Sequence, residues 1–161
     1  MTCKKCQQTN GKAHSFHRLG TLNNGASILF TCPLEAYTDD DSINNIEYYK
    51  SHFEAIPGNW IWIVDYRNFT TPLSFETGKI IIKYLLQHHK DRLKGFYIFQ
   101  PSTFFNAFLS LCIPFFPESY RSKIHTYNDS ILEFITDLQR AGMSSKDGHT
   151  LMLKLLRQTN I

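Results

Sequence analysis

Residues 60–64, Trp60-Ile61-Trp62-Ile63-Val64, are apolar at every position. A strand with one face in water alternates apolar with polar residues. A strand covered on both faces does not, so this stretch reads as an interior strand with helices packed on either side. Gly95-Phe96-Tyr97-Ile98-Phe99 repeats the pattern, and Lys123-Ile124-His125-Thr126-Tyr127 is a third candidate. Helical patterns fill the gaps. Asp39-Asp40-Asp41-Ser42 is a capping cluster that opens a helix through about Ile56, with Ile43, Ile46, Tyr49 and Phe53 on one face and Pro57-Gly58 as its stop. Thr71-Pro72 reads as an N-cap followed by a proline at the first helical position, leading into Lys79-Ile80-Ile81-Ile82-Lys83-Tyr84-Leu85-Leu86. Two more helical patterns occupy roughly 130–140 and 145–158. On the N-terminal side, FHRLGTL and ASILFTC flank Asn23-Asn24-Gly25, and Asn-Gly accepts the positive φ angles of a tight hairpin turn. Strands alternating with helices predict an α/β fold: a mixed, mostly parallel sheet flanked by helices, with one antiparallel hairpin edge.

The chain has 161 residues, enough for one domain with a substantial core. A polar arm is expected over residues 1–14 and the domain over 15–161. A net charge of +3, with no basic tract interleaved with aromatics, argues against a nucleic-acid partner. The start, MTCKKCQQTNGK, lacks the apolar segment of a secretory signal, and four scattered cysteines then point to a reducing compartment, with the cytosol expected.

Residues 96–117, FYIFQPSTFFNAFLSLCIPFFP, carry no charged side chain. That length suggests a membrane span. Pro101, Pro114 and Pro117 break it, and Gln100, Ser102 and Asn106 sit inside it, so strand, turn and a short helix from Ser102 to about Leu111 is the better parse. On that helix Phe104, Phe105, Phe108, Leu109, Leu111 and Cys112 spread around most of the circumference, where a surface helix shows one stripe. Such a helix is either buried all round or turns one side to a cavity or a membrane. Periodicity does not separate the two.

The run from Leu93-Lys94-Gly95-Phe96-Tyr97-Ile98-Phe99-Gln100-Pro101-Ser102 through Phe104-Phe105 to Lys123-Ile124-His125-Thr126-Tyr127-Asn128 resembles the CRAL-TRIO family. There a strand ends near a proline, a hydrophobic gate helix follows, and Lys-Ile opens the next strand. Trp62-Ile63-Val64-Asp65-Tyr66 is similar to the family's central strand, and the likeness is nearest to its divergent BCH-like branch. The resemblance implies a gate helix over the sheet and a hydrophobic lipid ligand beneath it, with phosphatidylinositol one candidate. It assigns Phe104, Phe105, Phe108, Leu109, Leu111, Ile113, Phe115 and Phe116 to the acyl chains, and Asp91 with Lys123 to the headgroup. Asp91 stands where the family has Glu, and Lys90 where it usually has Pro. The same resemblance implies peripheral membrane contact. Its BCH-like branch implies the alternative, a module that binds a small GTPase or forms a homodimer without lipid.

Catalytic signals are weak. No nucleophile elbow, glycine-rich phosphate loop or paired-carboxylate motif stands out, so an enzyme is not expected, nor a cofactor. Cys3-x-x-Cys6 with His14-x-x-His17 has zinc-ligand types, but the spacing is shorter than in common fingers, and a polar arm is the expected reading. Asp39–Asp41 lack the spacing and glycine of a calcium loop.

Overall fold

Asn23-Asn24-Gly25 turns β1 (His17–Thr21) back onto β2 (Ser27–Thr31). Gly25 takes a φ of 85°, and the Asn24 side-chain oxygen accepts from the Ala26 N–H at 3.1 Å. The computed structural model describes residues 14–33, 42–67 and 75–157, together with Gln8. The expected capping cluster at Asp39–Asp41 and the start at Thr71-Pro72 lie outside the described residues. So do Cys3 and Cys6.

α1 (Ser42–Glu54) leads to β3 (Trp60–Asp65), and α2 (Phe75–His88) leads to β4 (Leu93–Phe99). After β4 come α3 (Thr103–Cys112), a 3-10 turn (Ile113–Phe115), α4 (Glu118–Arg121), β5 (Ile124–Tyr127), α5 (Ile131–Arg140) and α6 (Ser145–Arg157). The strands form one sheet in the order β1-β2-β3-β4-β5, antiparallel at the hairpin edge and parallel elsewhere. This is the mixed, mostly parallel α/β architecture that the sequence predicts, with β3 at the centre and every residue of it buried.

Alternation along the strands divides the interior in two. Ile61 and Ile63 join Ile28, Phe30 and Phe99 on one face, under Phe134 and Leu138 of α5 and Leu151 and Leu155 of α6. Trp60, Trp62 and Val64 join Leu29 and Ile98 on the other, under α1, α2 and α3. The apolar pattern at every position of β3 follows from this two-sided burial.

Where β3 leaves the sheet, Asp65 and Arg67 form a buried ion pair. The guanidinium donates to both carboxylate oxygens, at 3.0 and 2.9 Å, and also to the Leu155 carbonyl at 2.6 Å. It lies 5.1 Å from the centre of the Phe99 ring. Each ion is satisfied by the other, so removing one strands a charge. Asp65→Ala should cost about 3–5 kcal/mol, and Asp65→Leu combined with Arg67→Met distinctly less, as urea denaturation would measure.

His89 packs edge-on against Phe53 and Trp60 and is 1% exposed. Among the described residues neither of its ring nitrogens has a hydrogen-bond partner, and the Glu54 carboxylate lies 3.9 Å away. Burial first, then the nearby Arg92 charge, lowers its pKa, while Glu54 pulls the other way and loses. His125 is shifted down by burial as well. A lowered histidine pKa means that the unfolded chain takes up a proton that the folded chain refuses. That stability is present above about 6.5, the ordinary histidine value, and is lost as pH falls below it. Urea midpoints should therefore fall between pH 7.5 and 5.5, and His89→Phe should flatten the slope.

Candidate functional site

α3 begins where β4 is forced to turn. Gln100 takes a φ of 46°, a left-handed value that a residue other than glycine rarely adopts, and its N–H donates to the Tyr127 carbonyl of the neighbouring strand at 2.6 Å. Pro101 follows, and the Ser102 hydroxyl oxygen caps the helix by accepting from the Phe105 N–H at 3.1 Å. Past α3, the Arg121 guanidinium donates to the Phe116 and Pro114 carbonyls at 3.1 and 3.3 Å, which holds the 3-10 turn against the domain.

The helix has an inner and an outer side. Phe105, Phe108, Leu109 and Cys112 are buried, whereas Phe104 and Leu111 are 46% and 60% exposed. Phe115 in the following turn is 83% exposed. These three lie along α3 and its following turn, and apolar residues grouped in this way, unlike single ones, mark contact sites.

Beneath the inner side lies a cavity of about 110 Å³. Its floor is Trp62 and Val64 of β3 and Phe96 of β4, with Thr31 and Tyr66 where β2 and β3 end. Asn45 and Tyr49 of α1, Ile81, Ile82 and Leu85 of α2, and Phe105 and Phe108 of α3 form its walls. His14 lines it too, buried and stacked on Tyr48 at 4.2 Å between ring centres. Trp62 stacks on Phe96 at 5.2 Å, and Tyr66 lies against Phe105 at 4.3 Å. The Trp62 indole N–H donates to the Thr31 hydroxyl oxygen at 2.8 Å.

Among the described residues no Asp, Glu, Lys or Arg lines the cavity. Burial drives the Tyr49 and Tyr66 phenols well above their ordinary range, so both stay protonated. Such a lining favours hydrocarbon and aromatic surface and offers a few neutral hydrogen-bonding groups.

Of the residues assigned from sequence, Phe105 and Phe108 line the cavity. Leu109 and Phe116 are buried in the surrounding core and Ile113 packs at its border, while Phe104, Leu111 and Phe115 face outward. Asp91 and Lys123 stand ahead of β4 and β5, at the end of the sheet opposite Thr31 and Tyr66, and neither lines the cavity. The Lys123 ammonium donates to the Lys90 and Leu93 carbonyls, both at 3.4 Å, and sits over the Tyr120 ring. Asp91 is exposed, and its carbonyl accepts from Lys94 at 2.7 Å. His14 and His17 are not brought together: His14 is buried at the cavity while His17 is exposed on β1. Among the described residues no cluster of three metal-ligating side chains occurs.

Sequence reasoning missed Thr31, Asn45, Trp62, Tyr66 and the α2 residues as lining. Apolar spacing marks Trp62 and the α2 residues as interior, and a cavity wall has the same signature as a core; Thr31 and Asn45 are polar and carry no local signal of a cavity.

A family model for the CRAL/TRIO domain matches residues 44–140, more than half of the chain. The matched span contains β3, β4, β5 and α3, and so most of the cavity. No curated protein matches the chain.

The two sides of α3 should respond differently to truncation. Phe105→Ala or Phe108→Ala should cost about 3–5 kcal/mol. Phe104→Ser or Leu111→Ser should stay within about 0.5 kcal/mol of the wild type. Urea midpoints of the four variants measure the difference.

Proposed function

Since the chain belongs to the CRAL/TRIO domain family, whose members bind hydrophobic ligands, we propose that it is a non-catalytic carrier of one hydrophobic ligand. The ligand is held between the sheet and α3. The observation that carries this proposal is the aromatic-walled cavity beneath α3, lined among the described residues by no charged side chain. Each CH₂ taken from water into such a site is worth roughly 0.8 kcal/mol, so a ligand is extracted by burial alone, with no chemical step.

Loading needs contact with a membrane. Phe104, Leu111 and Phe115 project from α3 and its following turn, with the exposed Arg121 bonded to that turn. An apolar wedge beside a cation suits the headgroup layer of a bilayer, so the protein works in the cytosol as a peripheral membrane visitor. No helix among the described residues is long and apolar enough to cross a membrane. The alternative, a BCH-like module that binds a small GTPase or a second copy, draws on the same exposed face. A headgroup role for Asp91 and Lys123 draws only on the family resemblance, because Lys123 is engaged by carbonyls away from the cavity.

Native mass spectrometry of protein equilibrated with a cellular lipid extract tests the carrier function. One bound hydrophobic molecule per chain is expected. A ligand-free dimer that buries α3 would overturn it in favour of the interaction module. In vesicle-to-vesicle transfer, the combined variant Phe104→Ser, Leu111→Ser, Phe115→Ser should slow delivery by about tenfold or more, since each inserted side chain is worth about 1.5–3 kcal/mol. Its retention of ligand should be unchanged, and so should that of Lys123→Ala.

A further inference from the structure

At the end of the seam between α1 and α2, His89 sits between Phe53 of α1 and Trp60 of β3, its ring centre 6.0 and 6.1 Å from theirs. Among the described residues neither of its ring nitrogens has a hydrogen-bond partner, and the Trp60 indole N–H beside it has none either. Buried polar side chains are nearly always paired, and a bare one stores free energy that a different arrangement releases.

The groups around the ring decide what a proton does there. On α1 the Glu54 carboxylate lies 3.9 Å from Nε2, is 60% exposed and accepts from the Tyr84 hydroxyl of α2. Lys50 of α1 stands over the Tyr84 ring, and the exposed His88 of α2 lies against it at 4.6 Å. In the turn before β4, the Arg92 guanidinium donates to the Ile56 and Gly58 carbonyls, which pins its charge near His89. β3 presents Trp60, without charge. A neutral imidazole suits this place. An imidazolium does not, since Phe53 and Trp60 give it no solvation, Arg92 repels it, and the Glu54 carboxylate stands toward solvent. Closing 3.9 Å to a charge-assisted bond of about 2.8 Å draws the ring outward, away from Phe53 and Trp60.

Both helices of the seam lead to the cavity. Phe53 packs against Trp62 of the cavity floor at 5.2 Å and against Tyr49 of its wall at 5.9 Å. One turn back along α2, Leu85 lines the cavity, and its carbonyl accepts from the His89 N–H at 2.8 Å.

We propose that His89 is an acid-operated latch between α1 and α2: neutral, it keeps the seam shut; protonated, it leaves the seam for Glu54, parts two walls of the cavity and releases what the cavity holds. The release rests on the carrier function, whereas the opening of the seam does not. The direction of titration agrees. Burial, then Arg92, lowers the pKa of His89 in the closed seam, so the closed form prevails at pH 7.5 and proton uptake favours the open form as pH falls below about 6.5.

The chain has two tryptophans, Trp60 beside His89 and Trp62 on the cavity floor, so their emission reads the seam without any ligand. Acrylamide quenching of that emission is followed from pH 7.5 to 5.0, beside release of bound N-phenyl-1-naphthylamine, an uncharged fluorescent probe. Far-UV circular dichroism monitors the fold. In the wild type, quenching should rise before the circular dichroism changes, and release should quicken by about tenfold or more, the factor that one unit of pKa difference between closed and open forms supplies. His89→Phe and His89→Gln should each abolish both responses, and Glu54→Gln should move them to lower pH. His88→Ala and His125→Phe should keep them. Flat quenching in the wild type down to pH 5.0 would overturn the latch. So would a rise that persists in a folded His89→Phe or His89→Gln protein, one unshifted in Glu54→Gln, or one that coincides with loss of circular dichroism, since the chain would then be unfolding as a whole. Quenching that rises without faster release would overturn the proposal and leave the carrier function intact. A His89-dependent rise in a protein that never binds the probe would uphold the latch and count against the carrier function.

Discussion

The buried ion pair between Asp65 and Arg67 sets the geometry at the end of the central strand, and the rest of the cavity face depends on it. The two charged side chains flank Tyr66 in sequence and turn to the α5–α6 side, where Arg67 reaches the Leu155 carbonyl and the Phe99 ring. Strand alternation then directs Tyr66 to the opposite side, against Phe105 of α3. One ion pair thereby ties β3 to α6 on one face and fixes, on the other, the ring on which α3 rests. A buried pair is not by itself strong evidence of stability. Its effect here is positional: it ends the strand at a defined residue and in a defined direction.

From that anchor the cavity face follows. β4 ends at Phe99, level with the anchor, and the left-handed Gln100 with Pro101 swings the chain off the sheet into α3. The Ser102 cap starts the helix at once, so α3 lies back over Trp62 and Phe96 instead of continuing away from them. α1 and α2 close the remaining sides. The result is a helix whose inner residues meet the cavity and whose outer residues meet solvent, as the proposed carrier function requires.

Much of the architecture is legible in the sequence because its signals are local and physically distinct. An apolar residue at every position of β3 has few explanations other than two-sided burial, and Asn24-Gly25 has few other than a hairpin. Ser102 after Pro101 marks the start of α3 to within a residue. The site is less legible. α3 is apolar nearly all round, so its periodicity does not say whether Phe104 or Phe105 points inward; only packing against Tyr66 decides that. His14 belongs by composition to a polar arm, yet it is buried against Tyr48 at the cavity, a tertiary contact with no sequence signature. Thr31 is one more β-branched strand residue until Trp62 is seen to bond to it. Lys123 carries the family's pattern at the start of its strand, but its ammonium is taken up by local carbonyls, which no spacing rule encodes.

The division of the interior into two cores has an evolutionary consequence. Ile61, Ile63, Phe99, Phe134 and Leu151 pack on the side away from the cavity, and none of them contributes to its wall. The apolar area that keeps the chain folded is therefore largely separate from the area that meets a ligand. Substitutions at Phe108 or Ile82 alter the shape offered to a guest while the far side of the sheet continues to hold the strands in register. Under the proposed carrier function, a scaffold arranged in this way tolerates drift in what it carries, because a change of cavity wall leaves the far core intact.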